Sequence, residues 1–143
     1  MNKIATIKYN QQFRELANKV VKNNNVIISK CNDVRPCGKG PIFINCKTVF
    51  FEKCDKNMIY YWADLCTFPN VSGIYLLESH PCDLDVFRRF YDTNTKIYLS
   101  ECYSRYKSRW AECNDNVIIL NSDQMTKLIN TYVYEDVITT NRE

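Results

Sequence analysis

Eight cysteines and a single histidine are the residues of this sequence whose types could do chemistry together. No Cys-x-x-Cys pair occurs among them, so the commonest spacing of a structural zinc site is missing. Local context must therefore identify the residues that act together. The histidine is His80, and the cysteines are Cys31, Cys37, Cys46, Cys54, Cys66, Cys82, Cys102 and Cys113.

Two segments have the context expected of metal ligands. In the first, Cys31 and Cys37 share a short segment, and a glycine directly after Cys37 lets backbone amides turn toward a thiolate sulfur. In the second, His80 and Cys82 precede a segment predicted to start a helix, and a helix N-terminus favours thiolate over thiol. The sequence predicts a tetrahedral zinc site of three cysteines and one histidine, formed by Cys31, Cys37, His80 and Cys82.

Other arrangements of the cysteines stay open at this point. A rival zinc site draws on Cys46, Cys54 or Cys66 in place of one of the two pairs. The metal-free interpretation makes the cysteines core thiols, because free cysteine is among the most buried residue types. Cys102 fits that interpretation best, because it falls on the apolar stripe of a predicted helix. Cys113, just beyond that stripe, suits either a ligand or a free thiol.

Catalytic constellations are not evident. A cysteine or serine nucleophile needs a neighbouring base, and His80 has no orienting group close to it in sequence. Three glycines in the whole chain are too few for a phosphate-binding loop or a dinucleotide fingerprint. We therefore expect a protein that binds other molecules and is not an enzyme.

Length and composition predict one globular domain over residues 1–143. Hydrophobic residues make up 45% of the chain and charged residues 24%, with a net charge of +3, so the chain is neither disordered nor strongly basic. No signal peptide or membrane-spanning run is recognisable, which predicts an intracellular protein without membrane contact. Disulfides rarely persist there, and this favours metal ligation or buried thiols. No internal repeat or linker stands out.

Hydrophobic periodicity predicts short central strands with helices toward both ends of the chain. This order indicates an α+β domain, stabilised by zinc, with room for a treble-clef or RING-like element. The final helix has the clearest start, because Asn121 and Gln124 have the spacing of a capping box. In chain order we predict a helix over 11–23, a strand over 26–29, one or two strands within 42–53, a strand over 73–78, helices over 83–91 and 96–112, a strand over 117–120 and a helix over 122–133.

Basic and aromatic residues are interleaved between positions 87 and 110. Such a mixture can bind single-stranded nucleic acid through backbone charge and base stacking. Most of these aromatic residues fall on one face of the predicted helices, however, so core packing explains them better. Any aromatic surface left over, with arginine at its edge, is typical of a protein–protein interface.

The order of Cys31, Cys37, His80 and Cys82, with the short chain and its AT-rich residue usage, resembles the small U-box/RING-like nucleocapsid-assembly proteins of baculoviruses. The chain departs from ordinary RING domains, which have Cys-x-x-Cys corners. The resemblance implies a Zn²⁺-binding structural or assembly component of a viral nucleocapsid, located in the host nucleus and the virion. Its expected partners are other viral structural proteins within a larger assembly, together with nucleic acid. The alternatives are a RING/U-box-like ubiquitin ligase and a nucleic-acid-binding regulatory protein.

Overall fold

A computed structural model describes residues 2–8, 15–29, 40–54, 59, 66–77, 79, 87, 90, 93–100, 116–135, 138 and 140. Nine strands and one named helix lie within these ranges. In chain order they are β1 (Lys3–Lys8), β2 (Val20–Val21), β3 (Asn25–Ser29), β4 (Ile42–Phe43), β5 (Thr48–Glu52), β6 (Gly73–Leu77), β7 (Lys96–Ser100), β8 (Val117–Leu120), α1 (Ser122–Ile129) and β9 (Val133–Glu135).

Seven of the strands form one sheet in the order β8-β7-β6-β5-β3-β1-β9, and β2 pairs with β4 in a separate two-stranded sheet. Every neighbouring pair in the large sheet is parallel. The predicted α+β class is therefore wrong, because parallel pairing with crossover connections defines an α/β sheet. Zinc stabilisation is also not supported, because the described ranges contain no group of three or more His, Cys, Asp or Glu that could hold a metal ion.

Several predicted strands are confirmed, and so is the start of the last helix. Strands were expected at 26–29, 73–78 and 117–120 and within 42–53, and β3, β6, β8, β4 and β5 lie there. The backbone N–H of Gln124 donates to Asn121 Oδ1 and the N–H of Asn121 donates to Gln124 Oε1, both at 2.8 Å. These two bonds form the predicted capping box. The helix ends at Ile129, earlier than predicted, and β9 begins at Val133.

Two predicted helices are wrong where they can be compared with the structure. The segment expected to start a helix at Lys96 is strand β7, in which Ile97 and Leu99 are buried and Tyr98 is half-buried. That alternation has the period of two expected for a strand. The first predicted helix cannot reach residue 23, because Asn18 has a left-handed φ of 62° and β2 follows it. The helix predicted over 83–91 lies almost wholly outside the described residues.

The large sheet is built from a structural repeat that the sequence did not reveal. Equivalent positions on successive strands are separated by 21, 23, 25, 23 and 20 residues. Each repeat is one strand and the connection that returns the chain to the start of the next strand. The expectation that the chain contains no internal repeat is therefore wrong. The positions in register are Ala5, Val26, Val49, Ile74, Ile97 and Val117.

The described parts of four connections between these strands pack on one side of the sheet, here called the crossover face. From β1 to β8 each new strand is added on the same side of the previous one, so right-handed connections all pass over the same face. The buried side chains agree with this rule. Leu16, Phe43, Phe68 and Phe87, which come from four different connections, belong to one apolar cluster with the inward residues of the strands.

The other side of the sheet, here called the helix face, receives the C-terminal segment. The chain runs from β8 to β9 at the opposite edge, so a right-handed connection must cross the opposite face. Leu128, Ile129 and Tyr132 accordingly pack against a separate buried cluster. That cluster consists of Ile4, Ile27 and Phe50. Strand β9 then pairs with β1 and covers its edge.

Buried polar side chains join successive repeats just beyond the strands. Cys54 Sγ donates to the carbonyl oxygen of Ile28 at 3.3 Å, and Ser79 Oγ donates to that of Phe51 at 2.8 Å. Ile28 and Phe51 are register partners, so each side chain bonds to the same place in the preceding repeat. Ser79 Oγ also accepts the backbone N–H of Cys54 at 2.9 Å. By sequence, the equivalent positions are Cys31 and Cys102, which lie outside the described residues.

We predict that Ser79→Ala lowers the free energy of unfolding by about 1–3 kcal/mol, because two buried backbone groups lose their partner. Ser79→Cys should cost less, since cysteine has a donor and already occupies the equivalent place at Cys54. Urea unfolding measures both changes. Ser72→Ala is the control, because Ser72 makes a similar but exposed bond to Lys47. Equal effects of Ser79→Ala and Ser72→Ala would contradict this role of Ser79.

Candidate functional site

A cleft of about 330 Å³ opens on the helix face at the carboxyl ends of β5, β6 and β7. We call it the rim cleft. In open α/β sheets, ligands bind at the carboxyl ends of parallel strands, so its position agrees with the usual location of a site. Its lining consists of Glu52, Leu76, Leu77, Ser100, Ser122, Met125, Thr126, Ile129 and Tyr134.

Strand register and the short β8–α1 connection bring this lining together. Glu52 on β5 lies opposite Leu77 on β6, and Ser100 on β7 lies opposite Leu120 on β8. Helix α1 starts directly after β8, so its first turns form one wall of the cleft. Met125 is only 5% exposed and anchors that wall.

The carboxylate of Glu52 is the charged group of the rim cleft. Ser29, which is 2% exposed, lies opposite Glu52 in the register, and its Oγ donates to Glu52 Oε1 at 2.9 Å. This bond from a buried hydroxyl fixes the orientation of the carboxylate. The other polar side chains of the lining are hydroxyls, and the rest is apolar. Such a site can accept hydrogen bonds from a cationic or N–H-bearing group while it covers an apolar stem.

A row of stacked aromatic rings lies beside the rim cleft on the same face. The rings of Phe50 and Tyr75 stack with centroids 4.6 Å apart, and those of Tyr75 and Tyr98 stack with centroids 4.2 Å apart. Tyr132 contacts Phe50 edge-on at 5.8 Å. Gly73 makes room for the row, because a Cβ at this position would lie 3.0 Å from Cε1 of Tyr75. The row therefore gives the helix face a rigid floor.

The stacked row changes the acidity of one phenol. Burial is the main cause that raises the pKa of Tyr75 well above its ordinary value, and its hydrogen bond with the Tyr98 phenol and the negative charge of an ionised Tyr98 add to the effect. Tyr75 therefore keeps its proton in alkaline solution where an exposed tyrosine loses it.

Two of the cysteines act as neutral hydrogen-bond donors. Burial raises the pKa of the Cys46 thiol to about 12, and its Sγ donates to the carbonyl oxygen of Thr48 at 3.1 Å. The Cys54 thiol donates to Ile28. Metal ligation requires a thiolate, so this environment does not suit Cys46 as a ligand. Cys66 is exposed.

The zinc ligands predicted from the sequence, Cys31, Cys37, His80 and Cys82, all lie outside the described residues, so the zinc site stays a prediction. Within the basic and aromatic segment, Phe87 and Phe90 are fully buried in the cluster of the crossover face, as core packing predicts. Tyr98 lies on the helix face in the stacked row.

Sequence reasoning missed the polar groups of the rim cleft. The sequence does contain a signal for them. In β3, β5 and β7, the residue directly after the second apolar residue of the crossover face is polar. These polar residues are Ser29, Glu52 and Ser100. A polar residue repeated at that place marks the carboxyl rim of a parallel sheet. It becomes visible only when the strands are aligned by their register.

A second cleft, of about 720 Å³, lies at the amino ends of β1, β3 and β5. We call it the amino-end cleft. Asn23 Nδ2 donates to Glu135 Oε1 at 3.0 Å, and Asn25 Nδ2 donates to the carbonyl oxygen of Lys3 at 2.8 Å. Its location is opposite to the usual ligand site of a parallel sheet. Its lining is Asn2, Lys3, Lys22, Asn23, Asn24, Asn25, Lys47, Thr48, Tyr132 and Glu135.

The sheet, its repeat and the rim cleft define a parallel α/β protein in which helix α1 packs on one face of the sheet. The chain belongs to a family of unknown function, DUF5845, whose pattern matches residues 26–111. It is 37% identical to uncharacterized protein R849 of Acanthamoeba polyphaga mimivirus, over 86% of this chain and 83% of the relative. It is 34% identical to uncharacterized protein L163 of the same virus, over 75% of this chain and 74% of the relative.

These relatives make the chain a viral protein. No solved structure matches it. The resemblance to the baculovirus proteins stays a prediction. Among the helices of the described residues, none has the length and apolar character needed to cross a membrane.

We predict that the ionisation of Tyr75 makes the protein less stable in alkali. The pKa of Tyr75 is higher in the folded chain than in the unfolded chain, where it is about 10. As the pH rises, Tyr75 therefore loses its proton in the unfolded chain before it does so in the folded chain. The free energy of unfolding then falls as the pH rises above about 10. Tyr75→Phe should reduce the loss of stability between about pH 10 and pH 12, measured as the urea midpoint. The exposed Tyr134→Phe is the control, and an equal loss in both variants would contradict the assignment.

We also predict that iodoacetamide labels Cys66 in the native protein and leaves Cys46 and Cys54 unlabelled until urea unfolds it. The two protected thiols are buried and the third is exposed, and alkylation requires an accessible thiolate. Mass spectrometry of peptides from a Glu-specific protease, with fragmentation to locate each label, gives the extent of labelling at each position. Rapid native labelling of Cys54 would contradict its buried bond to Ile28.

Proposed function

We propose that the chain is a non-catalytic binding component of a virus particle and that its helix face contacts another viral protein. The observation that carries this proposal is the rim cleft, where strand ends and α1 present a carboxylate, hydroxyls and apolar groups next to a rigid aromatic floor. Mixed surfaces of this kind, rich in tyrosine, are typical of protein–protein interfaces.

The repeat supports the same proposal. The repeat resembles leucine-rich repeats in two ways. Its period is 20–25 residues. It also has a buried Cys or Ser three residues after an apolar-x-apolar pair, as in the leucine-rich pattern L-x-L-x-x-N/C. Repeat proteins of this kind stack their strands into one continuous surface and use that surface to bind partners. The helix face is the corresponding surface here.

Exposure supports binding at one end of this surface. Tyr134 on β9 lines the rim cleft and is 62% exposed. Large side chains that stay exposed beside a cleft gain apolar burial when a partner covers them. The viral relatives support a partner among viral proteins. We propose a structural protein of the virion or nucleocapsid as that partner.

The test places the photocrosslinking residue p-benzoylphenylalanine at Tyr134 in virus-encoded protein during infection. We expect a covalent adduct with a viral structural protein, identified by mass spectrometry of purified particles. The matched control carries the same residue at Ile42, which is 40% exposed but belongs to the two-stranded sheet. We expect no adduct from that position.

A second variant tests the rim cleft itself. Thr126→Trp fills the cleft from α1 and should abolish the adduct formed at Tyr134, while the thermal midpoint of the protein stays near that of the wild type. Equal adducts from Tyr134 and Ile42, an adduct with nucleic acid only, or an adduct unchanged by Thr126→Trp would each overturn the proposal.

A further inference from the structure

We infer that the rim cleft recognises a cationic side chain, lysine or arginine, of the partner polypeptide. This inference rests on the proposed function, because it names the chemical group that the helix face would bind. The sequence alone does not suggest it, since the chain as a whole has a net charge of +3.

Charge is the first reason. Glu52 is the one ionisable carboxylate or amine among the described lining residues of the rim cleft. Lys8 is in the same row of the sheet, next to Ser29, but it does not line the cleft. A carboxylate facing neutral hydroxyls attracts a cation, and a hydrogen bond from a charged donor is about twice as strong as one between neutral groups.

Geometry is the second reason. The buried Ser29 hydroxyl donates a hydrogen bond to Oε1 of Glu52 at 2.9 Å. The carboxylate is therefore oriented before any ligand binds. Preorganisation of this kind lowers the entropy cost of binding. The hydroxyls of Ser122 and Thr126 line the same cleft and can accept further N–H groups of an ammonium or guanidinium.

Size and apolar lining are the third reason. The volume of about 330 Å³ is at the small end of ligand pockets, which span roughly 300–1,000 Å³. That space suits one long side chain better than a cofactor. Leu77, Met125 and Ile129 can cover the methylene stem, and lysine and arginine bury such stems while their charged ends stay polar.

The experiment titrates the ¹⁵N-labelled protein with three peptides, Ac-Leu-X-Leu-NH2, in which X is arginine, lysine or citrulline. Citrulline has the shape of arginine without its charge. We expect arginine and lysine peptides to shift the backbone amide signals of Ser100, Thr126 and Ile129, and the citrulline peptide to bind about tenfold more weakly or not at all.

Variants separate the role of Glu52 from that of folding. Glu52→Gln keeps an oxygen for the Ser29 hydroxyl but removes the charge, and it should weaken binding of the arginine peptide about tenfold. Glu135→Gln is the control, because Glu135 lines the amino-end cleft, and it should leave the affinity unchanged. Equal affinities for arginine and citrulline, an unchanged affinity in Glu52→Gln, or signal shifts confined to the amino-end cleft would each overturn the inference.

The two proposals fail in different ways. If the adduct at Tyr134 forms with a viral structural protein while the arginine and citrulline peptides behave alike, only the choice of a cationic side chain falls. If no adduct forms at Tyr134 and no peptide binds, both the helix-face interface and the cationic ligand are overturned.

Discussion

A parallel sheet can add a new strand only after the chain has returned to the amino end of the previous one, and the rest of this fold depends on that requirement. Each return needs a connection of many residues, which explains the period of 20–25 residues between register partners. Because the strands from β1 to β8 are added in one direction, the described connections pack together on one face. The opposite face receives the C-terminal segment.

The C-terminal segment resolves two problems of such a sheet. An uncovered first strand exposes a row of backbone groups that invites aggregation, and β9 pairs with β1 along that edge. On its way there, α1 covers Ile4, Ile27 and Phe50, and it leaves the carboxyl ends of β5–β7 open beside its own first turns. The rim cleft is therefore a consequence of the route that the chain takes back to its first strand.

Local elements could be predicted from the sequence where short-range chemistry decides them. The Asn121–Gln124 capping box and the β-branched run of β3 are of this kind, and both are confirmed. The fold class could not be predicted, because parallel pairing is a long-range property without a local marker. Leu99 of β7 also fits the apolar stripe of a helix. The segment forms a strand because it pairs with β6 on one side and with β8 on the other.

The cysteines show how the same residue type supports different interpretations. Without a secretory context, their number favours a zinc site, whereas the register of the sheet places Cys54 at a repeated position beside the strands. Cys54 and Ser79 make equivalent bonds in successive repeats, so cysteine in one repeat and serine in the next supply the donor that a buried carbonyl needs. The polar groups of the rim cleft were missed for the same reason, since Ser29 and Glu52 meet only through the register of β3 and β5.

The central claim is that six repeats pair in parallel, in chain order, with β9 returning to β1. Solution NMR of uniformly labelled protein tests it most directly through backbone contacts between strands. The account predicts parallel-type contacts linking Val26 with Val49, Val49 with Ile74 and Ile4 with Tyr134. Short contacts between Cα protons across these pairs, which mark antiparallel strands, or β9 found beside a strand other than β1, would contradict it.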